Sequence, residues 1–237
     1  MTAGTAGTAT IGRERELARI AARLAEGAAG RGGVVLVSGE PGIGKTRLAL
    51  DCSAAARAAG FRVAWGRCPE SGAAPAFWPW IEIVREVVAG EGAPAVRDRL
   101  GPAAADVLAL AEARDLLGGG SLPAELVASL RFRTLDGVVR LFEGGAGPLL
   151  VVVEDLHRAD ELSVAAARHV AGYAGRLPLL LLATVRPAEL PATGPLVDTL
   201  AEVATLPWCD GLPLGPLAAD EAGRLVAAGP GDHLCDV

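Results

Sequence analysis

The segment GEPGIGKTRLAL, residues 39–50, is the strongest indication of the fold in this sequence. Its glycines let the backbone turn around an anion, and it continues directly into a helix-forming stretch. The part from Gly39 to Thr46 matches the pattern G-x-x-x-x-G-K-[ST] in full, which is typical of a phosphate-binding loop between a strand and a helix. Such loops occur in kinases, GTPases, motors and signalling switches, so the rest of the sequence must decide between these classes.

Lysine usage supports this interpretation of the loop. The 237 residues include 22 Lys and Arg residues, of which only Lys45 is a lysine. Lysine carries a compact charge on a flexible stem, so we expect Lys45 to reach the β- and γ-phosphates and the Thr46 hydroxyl to bind Mg²⁺. The residues predicted to bind nucleotide phosphates are Gly39, Glu40, Pro41, Gly42, Ile43, Gly44, Lys45, Thr46 and Arg47.

The overall charge argues against one broad class of partner. The formal net charge is −6, and such a surface repels phosphate backbones, so we expect no direct DNA binding by this chain. The opening residues, MTAGTAGTAT, lack the basic and apolar parts of a signal peptide and are interpreted as a short disordered tail. The longest apolar runs have about half of the ~20 residues that a membrane span requires, so we expect a cytoplasmic protein without a membrane partner.

Short apolar runs predict the strands of an α/β sheet. They are rich in Val and Leu and are separated by helical stretches, as in buried parallel sheets. The runs are GVVLVSG (33–39), FRVAWGRC (61–68), PLLVVVED (148–155) and PLLLLATVR (178–186), with a fifth strand predicted around GLPLGPL (211–217). The predicted fold is therefore a P-loop NTPase three-layer sandwich with a central parallel sheet of about five strands.

Helices are predicted between these strands. They are RERELARIAARLAEGAA (13–29), KTRLALDCSAAARAAG (45–60), ELSVAAARHVAGYAG (161–175) and LGPLAADEAGRLVAAG (214–229). The region 79–143 is long for one crossover, so we predict that it is a helical insertion. The segment FWPW (77–80) is predicted to form a packed corner, with Pro79 at the start of a helix.

Acidic and polar residues follow two of the predicted strands. Glu154 and Asp155 end the run 148–155, at the edge of the sheet where ligands of open α/β folds bind. We assign Glu154 to Mg²⁺ and Asp155 to orienting or activating a water molecule. Thr184 and Arg186 end the next run, where a polar residue or an arginine could contact the γ-phosphate. The predicted catalytic set is thus Lys45, Asp155 and Arg186.

Missing residue types exclude two classes of nucleotide-binding protein. The chain has no Asn and no second Lys, so it lacks the Asn-Lys-x-Asp segment that usual GTPases use to read guanine. It also has no Gln to position an attacking water. The Gly-rich loop and the H-R-D-x-x-x-x-N loop of protein kinases are both missing from the sequence. His157 and His169 lack the spacing of metal ligands, so no further metal site is predicted.

The motifs occur in an order that resembles one known family. IGRERELARI, VSGEPGIGKTRLAL, GRCPESGAAPAFWPWIEIVRE, LLVVVEDLHRADELS and LLLLATVRPAEL follow one another in the sequence. Together they resemble the AAA-type ATPase domain of large ATP-binding LuxR-family and adenylate-cyclase-associated regulators, over roughly residues 11–228. The resemblance implies a P-loop domain of the STAND class, in which ATP binding and slow hydrolysis switch a protein from an autoinhibited to an active, often oligomeric form.

The same resemblance implies further site residues. Ile11, Gly12 and Arg13 correspond to a segment that lines the adenine pocket in the family. The strand at 178–186 would lie between the phosphate-loop strand and the acidic-pair strand. Two positions depart from the family: Glu154 stands where Asp is more common, and Arg158 stands where Trp is more common. These departures favour retained nucleotide binding over efficient hydrolysis.

We therefore expect an ATP-binding switch module with weak Mg²⁺-dependent ATP hydrolysis, which forms the regulatory part of a transcriptional regulator and could assemble into a homo-oligomer on ATP binding. The expected division is a tail at 1–10, a P-loop ATPase domain at 11–215 and the start of a truncated helical lid at 216–237. Three alternatives stay open: a ring-forming AAA-type loader or remodelling ATPase, a non-enzymatic regulator fragment that binds nucleotide poorly, and a small-molecule kinase.

Overall fold

A five-stranded parallel sheet forms the centre of the computed structural model, which describes residues 10–70, 75–116 and 134–228. The strands are β1 (Gly33–Ser38), β2 (Arg62–Arg67), β3 (Leu149–Glu154), β4 (Leu179–Val185) and β5 (Cys209–Pro213). Their order in the sheet is β2-β3-β4-β1-β5, and every neighbouring pair is parallel. The predicted fold class is confirmed, and β4 lies between β1 and β3 as the resemblance implied.

Helices cover both faces of this sheet. They are α1 (Glu14–Ala28), α2 (Lys45–Ala58), α3 (Trp78–Glu91), α4 (Ala93–Leu100), α5 (Ala104–Leu116), α6 (Leu135–Glu143), α7 (Glu161–Ala174), α8 (Pro195–Ala204) and α9 (Ala219–Ala228). Helices α3 to α6 lie between β2 and β3, in the region predicted as an insertion. Residues 1–9 of the predicted tail, the LGGGSLP break (117–123) and residues 229–237 lie outside the described residues. Within the described ranges, no helix has the length and apolar character needed to span a bilayer.

Two element boundaries near residue 214 differ from the prediction. The fifth strand runs over 209–213 instead of 211–217. Its bounds follow from its pairing with β1, in which Val34 lies opposite Cys209 and Ser38, the last residue of β1, lies opposite Pro213. The next helix begins at Ala219 instead of residue 214. The Glu221 carboxylate accepts a hydrogen bond of 2.7 Å from the Ala218 N–H, and this capping contact sets the start of the helix.

The core divides into two clusters, one on each face of the sheet. Strands β3 and β4 are buried along their whole length, which explains their continuous Val and Leu runs. Successive residues of β3 point to opposite faces: Val151 and Val153 pack with the residues of α3 to α8, whereas Leu150 and Val152 pack with α1 and α2. Both faces must be apolar because both are covered.

The FWPW segment packs as predicted and brings α3 against the edge strand β2. Phe77, Pro79 and Trp80 are buried, and Pro79 lies in the first turn of α3. The approach is close at Gly66, where a Cβ atom would lie 2.1 Å from the Pro79 carbonyl oxygen. A glycine is therefore required at this position of β2.

We predict that Gly66→Ala destabilises the protein by about 3 kcal/mol, because the added methyl group meets rigid backbone and forces α3 away from the sheet. Gly172→Ala in α7 is the matched control, since nothing lies within 4 Å of the added carbon. It should be neutral or stabilising by about 0.5–1 kcal/mol. Urea unfolding of both variants checks this, and equal stabilities would contradict the packing described.

Candidate functional site

The carboxyl ends of β1, β3 and β4 meet at one edge of the sheet, and the predicted site residues lie there. The phosphate-binding loop leaves β1 at Ser38 and enters α2 at Lys45. Gly44 precedes α2 with a φ of 102°, and Gly42 has a φ of 74°. Both angles fall in the left-handed region that favours glycine, so the loop takes a shape that a side chain would oppose.

Lys45 is held by the loop itself. Its side chain is buried, and its Nζ atom donates hydrogen bonds of 2.8 Å to the carbonyl oxygens of Gly39 and Glu40. Burial lowers the pKa of Lys45, the positive charge of Arg186 lowers this pKa further, and Asp155 acts in the opposite direction. The ammonium group therefore lies within the electrostatic reach of the two residues that follow β3 and β4.

Thr46 and Glu154 meet directly across the edge of the sheet. The Thr46 hydroxyl donates a hydrogen bond to Oε1 of Glu154, whose side chain is only 2% exposed. A hydroxyl and a carboxylate in contact are hard oxygen ligands that one Mg²⁺ ion can reach, so these residues fit the predicted metal. Among the described residues no group of three or more His, Cys, Asp or Glu side chains could hold a metal ion, so further ligands would come from phosphate and water.

Asp155 lies at the turn that follows β3. It has a φ of 56°, a conformation that Asp tolerates better than most residues, and its N–H donates a 2.9 Å hydrogen bond to Oγ1 of Thr184. Thr184 in β4 is buried and so anchors the backbone at Asp155. The Asp155 carboxylate is 3.7 Å from Nε of Arg186, and Nη1 of Arg186 donates to Glu189 at 2.7 Å.

His157 is a neighbour of this cluster that sequence reasoning did not assign to the site. Its side chain is 1% exposed, with Nδ1 3.9 Å from Asp155 and Nε2 3.2 Å from Glu189. Burial lowers the pKa of His157, while the two carboxylates act to raise it. Arg158, at the position where the family more often has Trp, pairs with Glu70 at 2.9 Å and Glu189 at 3.4 Å. The only sequence signal that could have assigned His157 and Arg158 to the site is their position just after Glu154 and Asp155.

The segment predicted to line an adenine pocket lies against the loop and the start of α9. The buried Arg13 side chain donates hydrogen bonds to the carbonyl oxygens of Ile43 at 3.1 Å and Gly215 at 2.7 Å. A Cβ atom at Gly12 would meet Leu217 and Glu221 at under 3 Å, so residues 217–221 pack on this segment.

The remaining residues of the predicted nucleotide site have simpler environments. Ile11 is half-buried beside Gly12. Arg47 binds Asp51 at 3.2 Å and Oγ1 of Thr10 at 3.3 Å, so its charge faces the N-terminal segment. The structure thus brings the predicted phosphate, metal and strand-end residues to one edge, with the 11–13 segment beside them.

Asp160 connects the site to α3 and was missed by the sequence analysis. Its carboxylate caps α7 by accepting hydrogen bonds from the N–H groups of Leu162 and Ser163, at 3.0 and 3.1 Å. The other carboxylate oxygen accepts from the Ser163 hydroxyl at 2.6 Å and the Phe77 N–H at 2.9 Å. Phe77 has a φ of 70°, which is strained for a bulky residue, so Asp160 stabilises an unfavourable corner. The sequence D-E-L-S at residues 160–163 is typical of a helix N-terminus, but it could not predict the contact between Asp160 and Phe77.

A glycine-rich loop, a lysine, and an acidic pair on a nearby strand of a parallel sheet define a P-loop nucleoside triphosphatase. Residues 9–182 match the AAA ATPase domain family, and the chain belongs to this family. Use of a nucleotide with Mg²⁺ is consistent with that membership.

Known proteins with related sequences or structures give further context. An uncharacterized protein of Rhizobium meliloti (strain 1021) is 32% identical over an alignment of 203 residues, and the alignment covers 78% of this chain but only 19% of that protein. The ORC1 protein of Aeropyrum pernix, solved in complex with DNA, is 16% identical with a TM-score of 0.47, over 92% of this chain and 49% of that one. A STAND protein with a tetratricopeptide repeat sensor from Pyrococcus horikoshii is 16% identical with a TM-score of 0.40, over 94% and 26% of the two chains.

We predict that Asp160→Asn lowers the free energy of unfolding by about 2 kcal/mol, because an amide NH₂ would then face the Phe77 N–H donor. The exposed residue Asp98 in α4 provides the same change at the surface, and Asp98→Asn should shift stability by less than about 0.5 kcal/mol. Thermal unfolding of both variants measures the difference. A variant at residue 160 as stable as the parent would show that the second carboxylate oxygen contributes nothing.

Proposed function

We propose that this chain is an ATP-binding signalling switch module with weak Mg²⁺-dependent ATP hydrolysis. The observation that carries the proposal is the meeting of Lys45, the Thr46–Glu154 pair, Asp155 and Arg186 at one edge of the sheet. Each group has a separate task toward a nucleoside triphosphate. Lys45 and Thr46 begin α2, whereas the acidic pair and Arg186 lie at the ends of β3 and β4. Membership of the AAA ATPase domain family supports the nucleotide.

The phosphate-binding loop and Lys45 bind the phosphates. The loop N–H groups and the N-terminus of α2 form the anion site. Lys45 exchanges its two carbonyl partners, Gly39 and Glu40, for the phosphate oxygens, so no new side chain has to enter the site. Thr46 and Glu154 would hold Mg²⁺, which would supply positive charge to the phosphates.

Hydrolysis falls to Asp155, which orients a water toward the terminal phosphate. The Thr184 hydrogen bond fixes the backbone at Asp155, so the carboxylate projects from a rigid point. Arg186 lies 3.7 Å from the Asp155 carboxylate and would also contact the γ-phosphate. Arg186 and the water would therefore compete for the Asp155 carboxylate. Because Asp155 is shared between a cation and a water, turnover is slow, which suits a switch better than a motor.

The larger assembly is also part of the proposal. The relative from Rhizobium meliloti is about five times the matched length, so the domain acts as the regulatory part of a larger protein, which we propose is a LuxR-type transcriptional regulator. In this proposal the segment that begins at residue 216 is the start of a helical lid, and the packing of Leu217 and Glu221 on Gly12 beside the loop supports this. ATP shifts the balance between lid arrangements, and assembly of copies follows ATP binding.

We predict that Lys45→Ala weakens ATP–Mg²⁺ binding by about 10- to 100-fold, since charge-assisted hydrogen bonds to the phosphates are lost. Calorimetric titration measures the affinity. ATP at 100 times its dissociation constant should stabilise the parent by about 2.7 kcal/mol, and the variant should lose most of this effect.

Arg140→Ala is the control for this experiment. It also removes one positive charge, from an exposed side chain in α6 whose recorded ion pair is with Asp136. It should bind ATP like the parent. If Lys45→Ala bound ATP as tightly as this control, the loop would not be the nucleotide site and the proposal would be wrong.

A further inference from the structure

Arg67 ends the edge strand β2 directly beside the carboxylate of Glu154. Its Nε and Nη2 atoms lie 2.8 and 2.7 Å from the same oxygen, Oε2 of Glu154. The Thr46 hydroxyl donates to the other oxygen, Oε1. We propose that Arg67 is a positioning residue of the magnesium site: it holds the Glu154 carboxylate in place and competes with Mg²⁺ for its charge.

Burial explains why Glu154 requires such a partner. Its side chain is only 2% exposed, and a carboxylate removed from water is costly unless a cation or several donors compensate for it. Arginine suits this task because two of its nitrogens can bind one carboxylate at the same time. The Arg67 side chain is 46% exposed, so its charge stays partly hydrated and can turn toward solvent when another cation takes the carboxylate.

The backbone holds Arg67 in this position from two sides. It lies opposite Glu154 in the register of β2 and β3, and the N–H of Cys68 donates to the Glu154 carbonyl at 2.9 Å. On its outer side, the Arg67 N–H donates to the Glu82 carboxylate of α3 at 3.2 Å. The fold therefore holds the backbone of Arg67 beside Glu154, within reach of its carboxylate.

Arg67 and Mg²⁺ would compete for the same carboxylate, that of Glu154. The positive charge of Arg67 opposes the metal, so it raises the Mg²⁺ concentration that the site requires. The inference rests on the proposed function, because it assumes that Thr46 and Glu154 take Mg²⁺ together with a nucleotide. It would add a threshold, because Arg67 would have to release the Glu154 carboxylate before that carboxylate could hold Mg²⁺.

The test is calorimetric titration of ATP at a series of Mg²⁺ concentrations. Arg67→Ala should lower the half-saturating Mg²⁺ concentration about tenfold, because the competing charge is gone. Its affinity for ATP without Mg²⁺ should equal that of the parent. Arg67→Lys keeps the charge and should stay within about threefold of the parent. An unchanged or increased Mg²⁺ requirement in Arg67→Ala would overturn the proposal, as would weaker binding of Mg²⁺-free ATP, which would make Arg67 a phosphate ligand.

A second measurement needs neither nucleotide nor metal. In thermal unfolding without either, Arg67→Ala should lower the midpoint by about 4–8 °C, since it leaves a buried carboxylate with one donor. The same change in a Glu154→Ala background should have little effect, because no carboxylate remains. Strictly additive effects would show that Arg67 does not hold Glu154. If the parent bound no ATP at any Mg²⁺ concentration, the proposed function would fail, while this cycle would still decide whether Arg67 positions Glu154.

Discussion

The burial of one carboxylate, that of Glu154, is the constraint on which the site depends. A charge in the interior must be matched by groups that the fold holds in place, and here they come from different elements. Thr46 belongs to the first turn of α2, and Arg67 ends the edge strand β2. A movement of the phosphate-binding loop or of the edge strand would therefore change the contacts of the Glu154 carboxylate.

The first helix of the insertion region belongs to the same framework. The Glu82 and Glu86 side chains of α3 accept hydrogen bonds from the backbone N–H groups of Arg67 and Trp65, which the edge strand would otherwise leave unpaired. Asp160, five residues after Asp155, joins the start of α3 to α7. The helices between β2 and β3 therefore do more than connect these strands, because α3 fixes the end of β2 that carries Arg67.

The sequence was most informative where local chemistry is strict. The place of Lys45 and Thr46 at the start of a helix that follows a strand could be predicted, because the pattern G-x-x-x-x-G-K-[ST] is typical of that context. The strands could be predicted from their apolar runs, because both faces of the sheet are covered. The place of β4 between β1 and β3 came from the resemblance, since periodicity says nothing about which strands are neighbours. Arg67, His157 and Glu189 could not be assigned, because only the folded sheet and its loops bring them to the acidic pair. The boundary at Ala219 depended on a single capping contact from Glu221, which a helical pattern does not reveal.

We propose that Lys45, Thr46 and Glu154 form one binding site for a nucleoside triphosphate and Mg²⁺. The most direct test is a crystal structure of the protein with Mg²⁺ and a non-hydrolysable ATP analogue. We expect Nζ of Lys45 to leave the carbonyl oxygens of Gly39 and Glu40 for the phosphates, and the metal to contact Thr46 and Glu154. An analogue bound elsewhere, or bound in the loop while Lys45 keeps both carbonyl partners, would contradict it.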